Sequence, residues 1–142
     1  MKRLLSLLLF AFALLSCEKE MELPEDPIAM EGFVLEKVDS DDSFLIVENK
    51  EQLLDILPME YLDQIDFSKR NILLIHGLSG TVVDHITKDM KKVNDKYCFE
   101  ITVYKSGWNA VDYWCVAYSI SKQLTKEDIA LFKKYRNIIR SF

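Results

Sequence analysis

The chain has no Cys-x-x-Cys pair, no His-rich tract and only two histidines, so it offers no ligand spacing for a structural zinc site. It has no run of Lys and Arg, and 23 acidic residues outnumber 18 basic ones. Nucleic-acid binding is therefore without electrostatic support. No apolar run is long enough to cross a bilayer. The longest, Leu4 to Leu15, is nearly unbroken but short. No internal repeat occurs, and no break in composition divides the part that follows, so one domain is expected. No motif implies a metal or another cofactor.

What is present begins with the leader. Lys2 and Arg3 form a basic start, Leu4 to Leu15 an apolar stretch, and Leu14-Leu15-Ser16-Cys17 an ending in which a small residue precedes a cysteine. This ending resembles the lipobox of bacterial lipoproteins. The resemblance implies that residues 1–16 are a signal peptide and that Cys17 is the site of lipid attachment. Its thiol would receive a diacylglycerol, and its new amino terminus a further acyl chain such as palmitate. Removing residues 1–16 leaves 126 of the 142 residues, enough for a real core. The leader holds two basic residues and no acidic one, so the formal charge moves from −5 to −7. An acidic domain is repelled by anionic headgroups, so the lipid must do the membrane work, and two acyl signals suffice.

Residues 17–29 read as the lipidated cysteine and a spacer: Glu18, Glu20, Glu22, Glu25 and Asp26, with Pro24 and Pro27, and little to bury. Acidic residues directly after the cysteine resemble the surface-export signal of Bacteroidota lipoproteins. Attachment to the outer membrane of the cell envelope is the expectation, with surface display as its extension.

Residues 30–142 read as a single α+β domain, an antiparallel meander with helices on one face. Phe33-Val34-Leu35 and Phe44-Leu45-Ile46-Val47 are β-type runs, separated by a turn at Asp39-Ser40-Asp41-Asp42. Asn49 caps a short helix after the second strand, with Gln52 at the capping-box position, Leu53, Leu54, Ile56 and Leu57 on its buried side and Pro58 as its stop. Ile72 to Ile75 is a central strand buried on both faces, ending at His76 in a Gly77–Gly80 turn. Residues 81–93 fit either a helical stripe or a partly exposed strand. Strand is favoured because Asn94-Asp95 suits a hairpin turn. Phe99, Ile101 and Val103 alternate with Cys98, Glu100 and Thr102, and Trp114, Val116, Tyr118 and Ile120 supply a second buried row. Finally, Thr125 with Glu127 and Asp128, the stripe Ile129, Phe132, Tyr135, Ile138 and Ile139, and late basic residues including Arg140 predict a C-terminal helix packed on the sheet.

Reactive groups do not converge. Ile72 to Gly80 looks like the His-Gly segment beside the oxyanion hole of α/β-hydrolases. The Gly-x-Ser-x-Gly elbow and the later acid and histidine are missing, since the only later histidine is His85. His76 and His85 lack a placed carboxylate partner, and Asp84 falls on the opposite strand face from His85. If the two late strands form a hairpin about Ser106-Gly107, Phe99 faces Trp114 and Cys98 faces Cys115. Those thiols then lie on one face, with β-carbons about 4.5–5.5 Å apart, at the upper edge of disulfide geometry. Trp108 stands in the polar turn Ser106-Gly107-Trp108-Asn109, with Tyr104 and Tyr113 on outward rows. These three form the candidate contact surface.

Asp66-Phe67-Ser68-Lys69, the hydrophobic strand and glycine turn after it, two more strands and the Ala117 to Lys122 ending are similar to small Bacteroidota lipoproteins. They also resemble, more distantly, the PrcB-type accessory domain of surface protease complexes. The resemblance spans roughly residues 45–122. It implies a non-catalytic binding or accessory role with no catalytic residues, and a final strand where this chain reads as helix. Separately, an envelope protein or a glycan is the expected partner. The alternative is a small envelope hydrolase or glycan-active enzyme built on carboxylates, which requires two acidic groups in contrasting environments within a pocket.

Overall fold

Where apolar residues alternate or run together, the chain forms strands, and seven of them carry the fold. The computed structural model describes residues 25–33, 36–57 and 65–138. The strands are β1 (Ile28–Met30), β2 (Phe44–Val47), β3 (Arg70–Ser79), β4 (Val83–Val93), β5 (Lys96–Lys105), β6 (Asp112–Ser121) and β7 (Ile129–Asn137). Among the described residues one α-helix, α1, spans Lys50–Ile56. The first sheet has the order β1-β6-β3-β2, antiparallel throughout. The second has the order β4-β5-β7, in which β4 and β5 are antiparallel and β5 and β7 parallel.

The sheets pack face to face around Leu73, Ile75, Phe99, Ile101, Val103, Trp114, Val116, Tyr118 and Ile120, all essentially inaccessible to solvent. Phe99 meets Tyr118 edge to face across this core, with centroids 4.7 Å apart. The other face of the first sheet buries Ile72, Leu74, Cys115 and Ala117 under Phe33, Val38, Leu53 and Leu57. That second cover is why β3 and β6 are buried on both sides and read as continuous apolar runs.

Local chemistry sets several boundaries. Asn49 Oδ1 accepts from the Gln52 amide at 2.9 Å, and Gln52 Oε1 accepts from the Glu48 amide at 2.8 Å, one residue before the capping-box position. The helix buries Leu53, whereas Leu54 faces solvent. Pro58 lies outside the described residues. Asn94 and Asp95 both have positive φ, 50° and 63°, as a two-residue hairpin turn demands. This settles residues 83–93 as strand.

The α+β expectation is wrong: the described residues are mostly β, in two sheets, with one short α-helix among them. The C-terminal segment is the strand β7, hydrogen-bonded along β5 from Ile129 to Asn137. Its inward row is Ile129, Leu131, Lys133 and Tyr135, a period of two, and Phe132 points outward, 55% exposed. The cap at Thr125 does form, its amide and hydroxyl both donating to Asp128 Oδ2, but it holds only a single 3₁₀ turn, Lys126–Asp128. Ile139 and Arg140 lie outside the described residues. The meander fails as well. Residues 106–111 arch from one sheet to the other, so β5 and β6 face each other across the core and are not neighbours in one sheet. Phe33 is buried outside any strand, Val34 and Leu35 lie outside the described residues, and the first sheet begins at Ile28. The strand through Ile75 continues to Ser79, so His76 and Gly77 are strand residues and not a turn.

Candidate functional site

Edge strands need protection, and two inward lysines supply it. On the β4 flank Lys88 reaches the Met30 carbonyl at 3.4 Å and the Glu31 carboxylate at 3.8 Å. On the β7 flank Lys133 donates to the Ser43 carbonyl at 3.0 Å and to the His76 carbonyl, with its ammonium 5.3 Å from the centre of the Trp114 ring. Burial holds the Lys133 ammonium below its ordinary pKa. Strand β2 begins at Phe44, opposite Ile75, so β3 runs on past it. Lys133 therefore takes the place of a strand partner for the His76 carbonyl.

Beyond that point the segment 37–43 and the overhanging end of β3 border an open cleft of about 810 Å³. Lys37, Asp39, Asp42, His76, Tyr113 and Tyr135 are among its lining residues. His76 shares the outer face of the first sheet with Cys115, its register partner. Its imidazole bonds the Asp42 backbone, while Nε2 is sealed from solvent with no partner among the described residues. Burial pushes the His76 pKa below its usual value and Lys133 adds to this, while Asp42 opposes it. Asp42 also pairs with Lys126 at 3.3 Å.

The cleft opens toward one end of the sandwich. There, turn residues of β3–β4 and β5–β6 are tied together: the Val82 amide donates to the Trp108 carbonyl at 3.1 Å and the Ser106 amide to the Val82 carbonyl at 2.8 Å. The Val83 amide adds a bond of 2.9 Å to Asp112 Oδ2. On this braced tip Trp108 is 75% exposed, joined by exposed Leu78, Val111 and Tyr113. The opposite end receives the N-terminal segment. Arg70 donates to the Asp26 carbonyl at 3.0 Å and to Ser119, and the Tyr97 hydroxyl donates to Asp26 Oδ1 at 2.9 Å. Asp26 and the buried Pro27 thus belong to the folded domain and not to a spacer.

The candidate residues from sequence part company. Trp108 and Tyr113 share the tip, but Tyr104 lies on the outer face of the second sheet, stacked on His85 with centroids 4.3 Å apart. Leu78 and Val111, which sequence reasoning missed, complete the tip. Leu78 was hidden by reading Gly77–Gly80 as a turn. Cys98 and Cys115 are free thiols: Cys98 is on the outer face of the second sheet and Cys115 is buried beneath the cover of the first. The arch between β5 and β6 removes the register that would have paired them. Cys17 lies outside the described residues. His76 and His85 are on different sheets, and no group of three metal-ligating side chains occurs among the described residues. A bulge between Val83 and His85 reverses one expectation, bringing Asp84 Oδ2 to 2.7 Å from His85 Nδ1. Comparison of the chain with models of known protein families, with curated proteins and with solved structures returns no match.

Proposed function

We propose that this chain is a lipid-anchored, non-catalytic binding or accessory domain of the cell envelope. In this reading residues 1–16 are removed, Cys17 carries the acyl chains, and the outer membrane holds the domain. The observation that carries it is polarity along the sandwich. The chain enters at the Asp26 end, and the exposed apolar cluster with Trp108 sits at the other. Residues 18–24 can reach at most about 25 Å, so an anchor at Cys17 would keep the Asp26 end near the bilayer and the tip away from it. A solvent-exposed indole on a hydrogen-bonded loop, with aliphatic neighbours, suits a protein contact.

An enzyme using carboxylates has less support. Asp39, Asp41 and Asp42 of the cleft are all exposed, so none occupies the apolar setting that would separate an acid from a base. The resemblance to small Bacteroidota lipoproteins and PrcB-type accessory domains implies the same kind of role. Capture of envelope partners by full-length protein, followed by comparison of wild type with Trp108→Ala and Phe132→Ala, tests the reading. Proteins lost with Trp108→Ala and retained with Phe132→Ala support it. An identical captured set for all three would remove the tip as a contact surface.

A further inference from the structure

We propose that the cleft beside His76 binds a neutral glycan, with Tyr113 and Tyr135 as its stacking platforms. The inference rests on the reading of the domain as a binding module and adds to its tip a second site with a stated class of ligand. The cleft's size, about 810 Å³, falls within the range of ligand sites. Its charges select against a charged ligand. Asp39, Asp41 and Asp42 are set against Lys37 and Lys133 in one space, so an anion or a cation gains from one set what it loses to the other.

A polyhydroxyl ligand escapes that conflict. Each hydroxyl donates to a carboxylate and accepts from an ammonium, so both signs of charge contribute. The three exposed carboxylates and the exposed Lys37 also remain solvated until the ligand arrives, and water can bridge any imperfect contact.

The two rings provide the apolar surface that a pyranose face requires. Both are partly exposed, at 38% for Tyr113 and 41% for Tyr135. Tyr135 stands edge to face on Trp114 with centroids 6.3 Å apart, and Lys105 lies 5.9 Å from its ring centre. Tyr113 has the Lys37 ammonium 5.4 Å from its ring centre. An exposed cation–π contact is weak, so Lys37 can yield the ring to a sugar and turn to a hydroxyl. Tyr135, braced on the buried Trp114, loses little conformational freedom on binding.

The test is calorimetric titration of full-length protein, purified in a detergent without a sugar headgroup. The probes are cellohexaose, xylohexaose, maltohexaose and chitohexaose, with hexagalacturonate as the charged comparison. At least one neutral hexasaccharide should bind with a Kd of about 1 mM or tighter, and more tightly than hexagalacturonate. Tyr113→Ala and Tyr135→Ala should each weaken that binding about two- to tenfold, the loss expected for one aromatic contact. Tyr135→Phe should retain it, which separates loss of the ring from loss of the fold. Trp108→Ala should leave it unchanged. Absence of binding by all four neutral probes at about 10 mM would overturn the proposal. So would binding indifferent to both tyrosines, or a preference for hexagalacturonate. The tip variants report on the protein-contact reading separately, so either can fail while the other stands.

Discussion

Replacing Gly77 by Ala should destabilise the domain through one contact. Gly77 is a strand residue of β3, and its φ is outside the left-handed region, so conformational freedom is not what it supplies. It supplies room. An added β-carbon would stand 2.7 Å from Cζ2, 2.8 Å from Cε2 and 2.9 Å from Nε1 of Trp114. Comfortable carbon contacts are about 3.5–4.0 Å, so one ring or one strand must move by nearly an ångström. The indole has nowhere easy to go. Trp114 is fully buried between the sheets, with Tyr135 at its edge and Lys133 over its face. Overpacking of this kind costs about 1–3 kcal/mol, and the lack of slack places Gly77→Ala in the upper half of that range. At about 4 °C per kcal/mol the melting temperature should fall by about 8–12 °C. Urea denaturation followed by far-UV circular dichroism measures the cost without relying on the indole. The decisive comparison is a double-mutant cycle. Trp114→Leu removes the ring and with it the three clashing atoms, so in that background Gly77→Ala should cost less than about 1 kcal/mol, a coupling of at least about 1 kcal/mol. A Gly77→Ala variant within about 0.5 kcal/mol of wild type, or the same cost in both backgrounds, refutes the close approach.

Lys133→Met keeps the aliphatic stem but removes the ammonium from the His76 carbonyl and leaves the Ser43 carbonyl only the long bond of 3.5 Å from the His76 amide. It should cost about 1–2 kcal/mol by urea midpoint, and a neutral result would mean that the flank does not need the ammonium. His76 should make stability fall at acid pH. Burial depresses its folded pKa, so the unfolded chain binds more protons, and the stabilisation present above about pH 6.5 is lost as pH drops through the folded value. Urea midpoints at pH 5 and pH 8 should therefore differ more for wild type than for His76→Gln, and equal differences would count against this. In a Cys17→Ser background, Cys98 should react with a thiol reagent in the folded state. Cys115, buried and with its pKa pushed up to about 12, should react only on unfolding; two fast thiols would contradict its burial.

The inner faces were legible because their alternation is unbroken: Phe99, Ile101 and Val103 and then Trp114, Val116, Tyr118 and Ile120 stand where period-two reading puts them. The Asn94-Asp95 turn was legible because few residues accept positive φ. Pairing was not. Alternation states which face a side chain occupies and is silent on whether two strands lie side by side or face each other across a core. The β5–β6 arch and the free thiols follow from that gap. The last strand misled for a different reason. Ile129, Phe132 and Tyr135 satisfy a helical stripe, while Ile129, Leu131 and Tyr135 satisfy a strand whose inward row contains Lys133. An inward lysine that crosses to backbone carbonyls looks polar in sequence and is half-buried in the fold. Gly77 reads as punctuation because a glycine that admits a neighbour's indole carries the same letter as one that makes a turn.

The central claim is a domain anchored at one end and exposing a contact surface at the other. Fluorescence quenching of the lipidated full-length protein in vesicles tests it most directly, in a Trp114→Phe background so that Trp108 is the sole emitter. Aqueous iodide should quench Trp108 strongly, lipids brominated in their acyl chains should not, and Cys17→Ala should leave the vesicles altogether. Quenching of Trp108 by the brominated lipids, or retention of Cys17→Ala on the membrane, would contradict the account.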